Sequence, residues 1–310
     1  MQQWPNEFVL ARHVQSDYNV FNPYDIPGYV RFAELFDREF EVLTKENIQH
    51  FPSPELRKMA EKMVPYVMSD VSDYDTEVTE VGYKHAVLIG EALPGVIQKP
   101  DAVYVSPYKR ARQTHQGFIE GWPALGDVPT KFEDRSREQE HGMRGMYRDY
   151  RVYCALNPDY ALLYKHVTQY EYRNEAGESP LDLTNRMRSM VASIVRKHGG
   201  TPRVLEDMLV EFMERHGWDT RLKIAKALGL DAVNKPENVL CIQHHLGILA
   251  MRKVLENWDR ERYLKENEPE NRPPNGSISI YRGVSGKHTG RIISDPREIN
   301  MVLAELPKAA

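Results

Sequence analysis

Apolar positions along the 310-residue chain fall into two rhythms. Short, dense runs rich in β-branched or aromatic residues occur at FVLAR (8–12), AVYVS (102–106), NVLCIQ (238–243) and SISIYR (277–282). Such runs read as strands, and VPTKFE (128–133) and RIIS (291–294) are weaker versions of the same pattern. Between them, apolar residues recur every three or four positions over 81–93, 107–122, 183–199 and 246–258, which predicts helices. Strands alternating with helices predict an α/β fold, a sandwich of helices around a mostly parallel central sheet.

Three stretches break that rhythm. Residues 20–76 are aromatic and acidic with turn signals such as NPYDIPG, residues 143–175 crowd seven tyrosines among arginines, and residues 201–236 read as a helical addition. No segment has the composition of a flexible linker, so the expectation is one domain over 1–310 carrying these three insertions or lids. The 143–175 segment fits either a pocket wall for an aromatic or multiply anionic ligand or an amphipathic cap with tyrosines in its own core.

Composition then narrows the class. Hydrophobic residues at 41% and charged residues at 28% are ordinary for a globular protein. The formal net charge of −4 provides no general attraction for nucleic acid or anionic lipid, so anion chemistry must come from a local cluster. Two cysteines, Cys154 and Cys241, make no disulfide framework, and Cys241 sits inside an apolar run as a core residue would. The first residues lack a signal-peptide pattern and no apolar run approaches the ~20 residues of a membrane span. The expected setting is cytoplasmic, with no nucleic-acid or membrane partner; a homo-oligomer stays open.

In open α/β sheets ligands bind outside the carboxyl ends of the strands. Arg12–His13 ends the first strand, Ser106–Pro107–Tyr108–Lys109–Arg110 follows the second, and His244–His245 follows 238–243. Parallel neighbours would bring two arginines and two histidines to one edge. Ser106 and Pro107 suit a helix start, where Lys109, Arg110 and Arg112 are placed against the dipole, an arrangement suited to an anion. A solvated basic turn would look the same in isolation. Arg12 and Arg110 could fork a phosphoryl group from two sides, one neutral imidazole could attack it, and a second, protonated one could stabilise the transferring charge. With enough cations no metal is required. Glu138 and Glu140 in SREQEHGMRG are candidate proton donors, unless they merely pair with Arg135 and Arg137.

These residues resemble, in order, the motifs of the histidine phosphatase superfamily, which includes the phosphoglycerate mutases. VLARHVQSDYN is similar to its Arg-His-Gly signature, with Ser16 and Asn19 at matching spacings. VTEVG resembles its Thr-x-x-Gly helix start, SPYKRARQT its Ser-Pro-x-x-Arg-Ala-x-Gln-Thr motif, and SREQEHGMRG its acid loop. GES (177–179), VLCIQHH and PPNGSISIY continue the series, whereas residues 20–76 and 201–236 lie outside it. The resemblance implies a phosphoglycerate mutase-like three-layer α/β/α sandwich. It implies His13 as a nucleophile that becomes phosphohistidine, and Arg12, Arg110 and His244 as phosphoryl ligands with Asn19 and Ser16 beside them. Glu138, first acid of the Glu-x-x-x-Gly spacing, aligns with the proton donor better than Glu140. His245 and Glu178 are accessory candidates, and no metal or cofactor is implied.

Two positions depart from the pattern: Val14 and His245 stand where glycine is usual. Val14 is therefore expected to crowd the phosphate pocket or alter its backbone donors. The leading expectation is a metal-independent phosphatase acting on a small phosphomonoester. A phosphomutase ranks second, because the acid loop lacks the longer mutase motif, and a catalytically degenerate phosphate-binding protein third.

Overall fold

The computed structural model describes residues 4–166, 169–173, 175–200, 237–283 and 292–294. Six strands form one sheet: β1 (Glu7–Arg12), β2 (Ala102–Val105), β3 (Thr130–Phe132), β4 (Asn238–Gln243), β5 (Ile278–Gly283) and β6 (Ile292–Ser294). Their order is β3-β2-β4-β1-β5-β6. β1, β2, β3 and β4 run parallel, and β5 and β6 close one edge antiparallel. All six strand expectations are met, and the sheet is mostly parallel as the alternation predicted.

The apolar runs are continuous because both faces of the sheet are covered. Phe8 and Leu10 of β1, Tyr104 of β2 and Val239 and Cys241 of β4 enter one core. Against them pack α7 (Pro180–His198) and α8 (His245–Leu255) through Leu183, Met187, Ile194, Leu249 and Met251. The alternate residues Val9, Ala11, Val103, Val105, Leu240 and Ile242 enter a second core beneath α3 (Glu80–Ala92) and α4 (Lys109–Gly121). This is the three-layer sandwich. Each fully buried Leu, Ile or Phe contributes roughly 1.5–3 kcal/mol, so a one-residue slip of β1 would exchange its two core faces.

Two of the three expected insertions form a unit beside this sandwich. In residues 20–76 lie α1 (Tyr29–Glu41) and α2 (Pro54–Val67), and in 143–175 lie α5 (Tyr150–Leu156) and α6 (Pro158–His166). They share a third core containing Tyr29, Phe32, Phe36, Leu56, Met63, Val152 and Cys154. A buried bond from the Tyr29 hydroxyl to Asp149, 2.5 Å, ties the two segments. A short helix, α9 (Arg260–Glu266), follows α8 and buries Tyr263 in the first core. The third expected insertion, 201–236, lies outside the described residues. Among the described residues no helix is long and apolar enough to cross a membrane.

Candidate active site

Register decides what the strand ends present. Arg12 is opposite Gln243, and Val105 is opposite Ile242, so the residues after β1, β2 and β4 emerge at one edge of the sheet. The His13 amide donates to Gln243 O at 2.9 Å, and the Ser106 amide to Ile242 O at 3.0 Å. The rings of His13 and His244 are 5.2 Å apart at 59°, and that of Tyr108 stands 4.9 Å from His244. The expected convergence of strand ends is present.

His13 Nδ1 lies 2.7 Å from Val14 O. A carbonyl only accepts, so Nδ1 carries the proton and Nε2 keeps its lone pair. Burial, then the fields of Arg110 and Arg12, hold this imidazole well below its ordinary pKa, hence neutral. His244 is fully buried and is likewise held neutral, by burial first and then by Arg110. That differs from the protonated second imidazole expected from sequence, and the cause is desolvation beside cations. His244 Nε2 is bonded to Ser106 Oγ at 2.7 Å, while its buried Nδ1 has no partner.

Ser106 therefore does not cap a helix. α4 starts at Lys109 with Tyr108 in the cap position and no side-chain cap bond, which corrects the Ser106–Pro107 expectation. The serine hydroxyl is engaged by His244 instead. Of the three cations in the first turns, Lys109 pairs with Glu77 and Arg112 is exposed, so Arg110 alone turns into the site.

The two arginines differ in state. Arg12 Nη1 donates to Pro273 O, and its buried Nε has no partner. Burial lowers its pKa to about 10. Arg110 is filled: its fork meets both carboxylate oxygens of Asp73, at 2.8 and 3.2 Å. Asp73 belongs to the 20–76 segment and was not singled out from sequence, where nothing local marks it.

Val14 corrects another expectation. Its side chain is completely buried in the second core, outside the cavity lining, and its backbone is not in the positive-φ region. Its amide donates to Thr114 Oγ1 at 3.2 Å, and Thr114 in turn donates to Arg110 O at 2.7 Å. Valine here neither crowds the pocket nor strains the turn. The loop it belongs to is held by Thr79 and Gly82: the Thr79 amide donates to Gln15 O at 3.1 Å, and a Cβ on Gly82 would stand 2.2 Å from the same oxygen. The Thr-x-x-Gly spacing thus records a backbone contact. His245, at the other departure, lines the cavity with a buried, partnerless Nε2, and burial with Arg12 and Arg272 depresses it to about 3.

Ser16 and Asn19 form a closed turn: the Ser16 amide and hydroxyl both donate to Asn19 Oδ1, at 3.0 and 2.9 Å. Asn275 donates to the same oxygen at 2.9 Å, so the PPNG loop braces the turn.

Across the cavity stands the acid loop. Glu138 accepts from the amides of Gln139 at 2.9 Å and Leu246 at 3.4 Å, yet burial raises its pKa. Glu140 instead faces Arg137 at 3.4 Å and the Tyr108 hydroxyl at 3.3 Å, and Arg135 pairs with Glu133 at 2.9 Å. The pairing expected for both acids holds for Glu140 alone. Gly142 sits at φ +58, where a Cβ would stand 1.9 Å from Glu175 O, which accounts for the glycine of Glu-x-x-x-Gly. Glu178 does not reach the cavity. Its amide donates to Glu140 O at 2.7 Å, and its carboxylate takes a fork from Arg186 at 2.6 and 2.9 Å. Arg186 also donates to the carbonyls of Arg135, Arg137 and Glu138, making it the hub of the loop. Sequence reading missed Arg186; its only signal is a position eight residues after Glu178 on α7.

Arg12, His13, Asp73, Arg110, Glu138 and His245 line a cavity of about 750 Å³, whereas His244, Glu178 and Arg186 lie outside its lining. Its inner end carries Arg12, His13, Ser16, Asn19, Arg110 and Glu138, and the 143–175 segment supplies Arg144, Tyr160, Tyr164 and Tyr172. Tyr153 and Tyr170 are buried instead, so that segment is both wall and cap. Among the described residues no group of three or more His, Cys, Asp or Glu side chains is arranged to hold a metal ion.

No curated protein matches the chain in sequence. A solved mycobacterial glucosyl-3-phosphoglycerate phosphatase complexed with VO3 is similar in fold, with TM-score 0.52, 19% identity, and 94% of this chain and 97% of that one covered. YhfR of Bacillus stearothermophilus gives 0.51 at 16% identity over 93% and 94% of the two chains. A phosphoserine phosphatase mutant from Entamoeba histolytica, in complex with phosphoserine, gives 0.50 at 14% identity over 97% and 99%. The model of the histidine phosphatase superfamily (branch 1) matches residues 70–209, a span that holds Arg110, Glu138 and Glu178.

Proposed function

We propose that the protein is a metal-independent phosphatase that hydrolyses a small phosphomonoester through a phosphohistidine on His13. The observation that carries this reading is the fixed tautomer of His13, whose unprotonated Nε2 belongs to a ring lying between Arg12, Arg110 and His244 at the cavity end. In-line attack by Nε2 forms the P–N bond as the ester P–O bond breaks. Glu138, whose pKa burial raises, gives its proton to the leaving oxygen. The same carboxylate then takes a proton from water, whose oxygen displaces histidine and releases inorganic phosphate. Arg12 and Arg110 hold the phosphoryl oxygens, with Asp73 giving up the Arg110 fork. His244 offers its partnerless Nδ1 to the same group, and Asn19 and Ser16 shape the turn beneath it.

The test is trapping. Brief reaction with a phosphate-labelled ester should give an acid-labile, base-stable phosphoenzyme that His13→Ala abolishes. Absence of both phosphoenzyme and released phosphate across a broad panel of phosphomonoesters would reject the reading.

A further inference from the structure

The cavity holds more positive charge than a phosphoryl group uses. Arg12 and Arg110 stand at the phosphoryl end, yet Arg144 and Arg272 also line the wall. Neither makes an ion pair with a carboxylate among the described residues, and the Arg272 side chain spends one N–H on Asn267 O at 3.0 Å. Two acids of the lining are already paired, Asp73 with Arg110 and Glu140 with Arg137, and burial raises the pKa of the third, Glu138. A concave wall with two unneutralised arginines concentrates anions.

Both arginines share the cavity wall with one aromatic group, Tyr164. The fields of both act on the Tyr164 hydroxyl, and that of Arg144 also acts on Tyr160. The field of Arg272 reaches Arg12 and His245 as well, so the second charged region is continuous with the phosphoryl end. Tyr164 stacks on Tyr160 at 5.9 Å and 20°, and Tyr172 tilts against Tyr160 at 6.0 Å. Tyr160, Tyr164 and Tyr172 each remain partly accessible and line the cavity. Its volume of about 750 Å³ leaves ample room beyond one phosphate.

We infer that the substrate carries a second anionic group, held by Arg144 and Arg272, on a flat ring that packs against Tyr164. This rests on the phosphatase reading and narrows it to ring-bearing phosphomonoesters with an acidic substituent. A planar fork binds carboxylate or phosphate oxygens in pairs, and an aromatic face packs against a flat ring.

Binding of inert phosphonates separates this inference from the reaction. Benzylphosphonate and 4-carboxybenzylphosphonate differ by the second anion alone, and calorimetric titration reads their affinities without turnover. The carboxylated ligand should bind the unmutated protein about tenfold more tightly. Arg144→Met and Arg272→Met should each bring that ratio toward unity, in protein whose thermal melt shows it folded. Tyr164→Leu should weaken both ligands by about three- to tenfold while keeping their ratio. Affinities within twofold of each other in the unmutated protein overturn the subsite and leave the phosphatase reading standing, and the unmutated protein needs no variant to fold. A ratio that survives both arginine substitutions overturns it too. If neither phosphonate binds, the phosphate-site reading itself fails and the subsite with it.

Discussion

The strand-end half of the cavity and its lid half are built by opposite means. Arg12, His13, Arg110 and His244 are placed by the ends of three parallel strands whose register the core enforces. Their neighbours in sequence are their neighbours in function. Asp73, Arg144, Tyr160 and Tyr164 are placed by helices and turns that pack on one another in a separate core. In the first half a short motif is enough to name the chemistry. In the second, residues about ninety positions apart meet on one wall, and no local pattern announces it.

The comparison breaks most sharply at Glu138, where the acid loop joins the halves. Glu138→Gln should lower kcat by about 10²–10⁴-fold. The sign of the pH dependence follows from burial. Its raised pKa keeps the donor protonated above the ordinary carboxylate range, so activity falls as pH rises through that raised value. His13 is depressed and stays a free base to low pH, so it does not set that limb. The Gln variant should lose the alkaline fall, measured as kcat against pH. If the same fall persists in Glu138→Gln and disappears in Glu140→Gln, the donor has been misassigned.

The sequence displayed one half well and the other poorly for physical reasons. Continuous apolar runs revealed a sheet covered on both faces, and the resemblance named Arg12, His13, Arg110, Glu138 and His244 before any contact was known. Helix α4 shows where local logic stops: Ser106 looks like a cap, but a histidine 138 residues away engages its hydroxyl. Arg186 shows the same limit, since its three carbonyl acceptors exist only once the acid loop is folded over α7. Motif spacing exposed the glycines at 82 and 142 without saying that each makes room for a backbone oxygen.

Asp73 sharpens the comparison at a smaller scale. It is the point where the lid half reaches into the clamp, with a carboxylate in the fork that a phosphoryl group needs. Asp73→Ala should remove that competitor, and inhibition by inorganic phosphate should strengthen by about three- to tenfold. The modest size reflects a carboxylate that is one-third exposed and screened by solvent. An inhibition constant that stays level or weakens would mean that Asp73 holds Arg110 in place rather than occupying its site.

Val14 carries the smallest expected effect on activity, and for that reason it tests the boundary between core and clamp. A valine in the glycine position would cost catalysis if it faced the phosphate. Instead its side chain is sealed in the core formed with Val9, Ala11, Val105 and Ala111, and its amide is satisfied by Thr114. Val14→Ala removes two buried methyl groups and should lower stability by about 2 kcal/mol, read by urea unfolding at constant pH. The same variant should keep kcat/KM within about twofold, because the clamp is carried by the end of β1 and the start of α4 and not by this side chain. A tenfold gain in kcat/KM would place Val14 against the substrate and move the boundary of the core. Loss of stability with activity kept would show that hydrocarbon fills the position where the motif that this chain resembles has glycine, without altering what the strand end delivers.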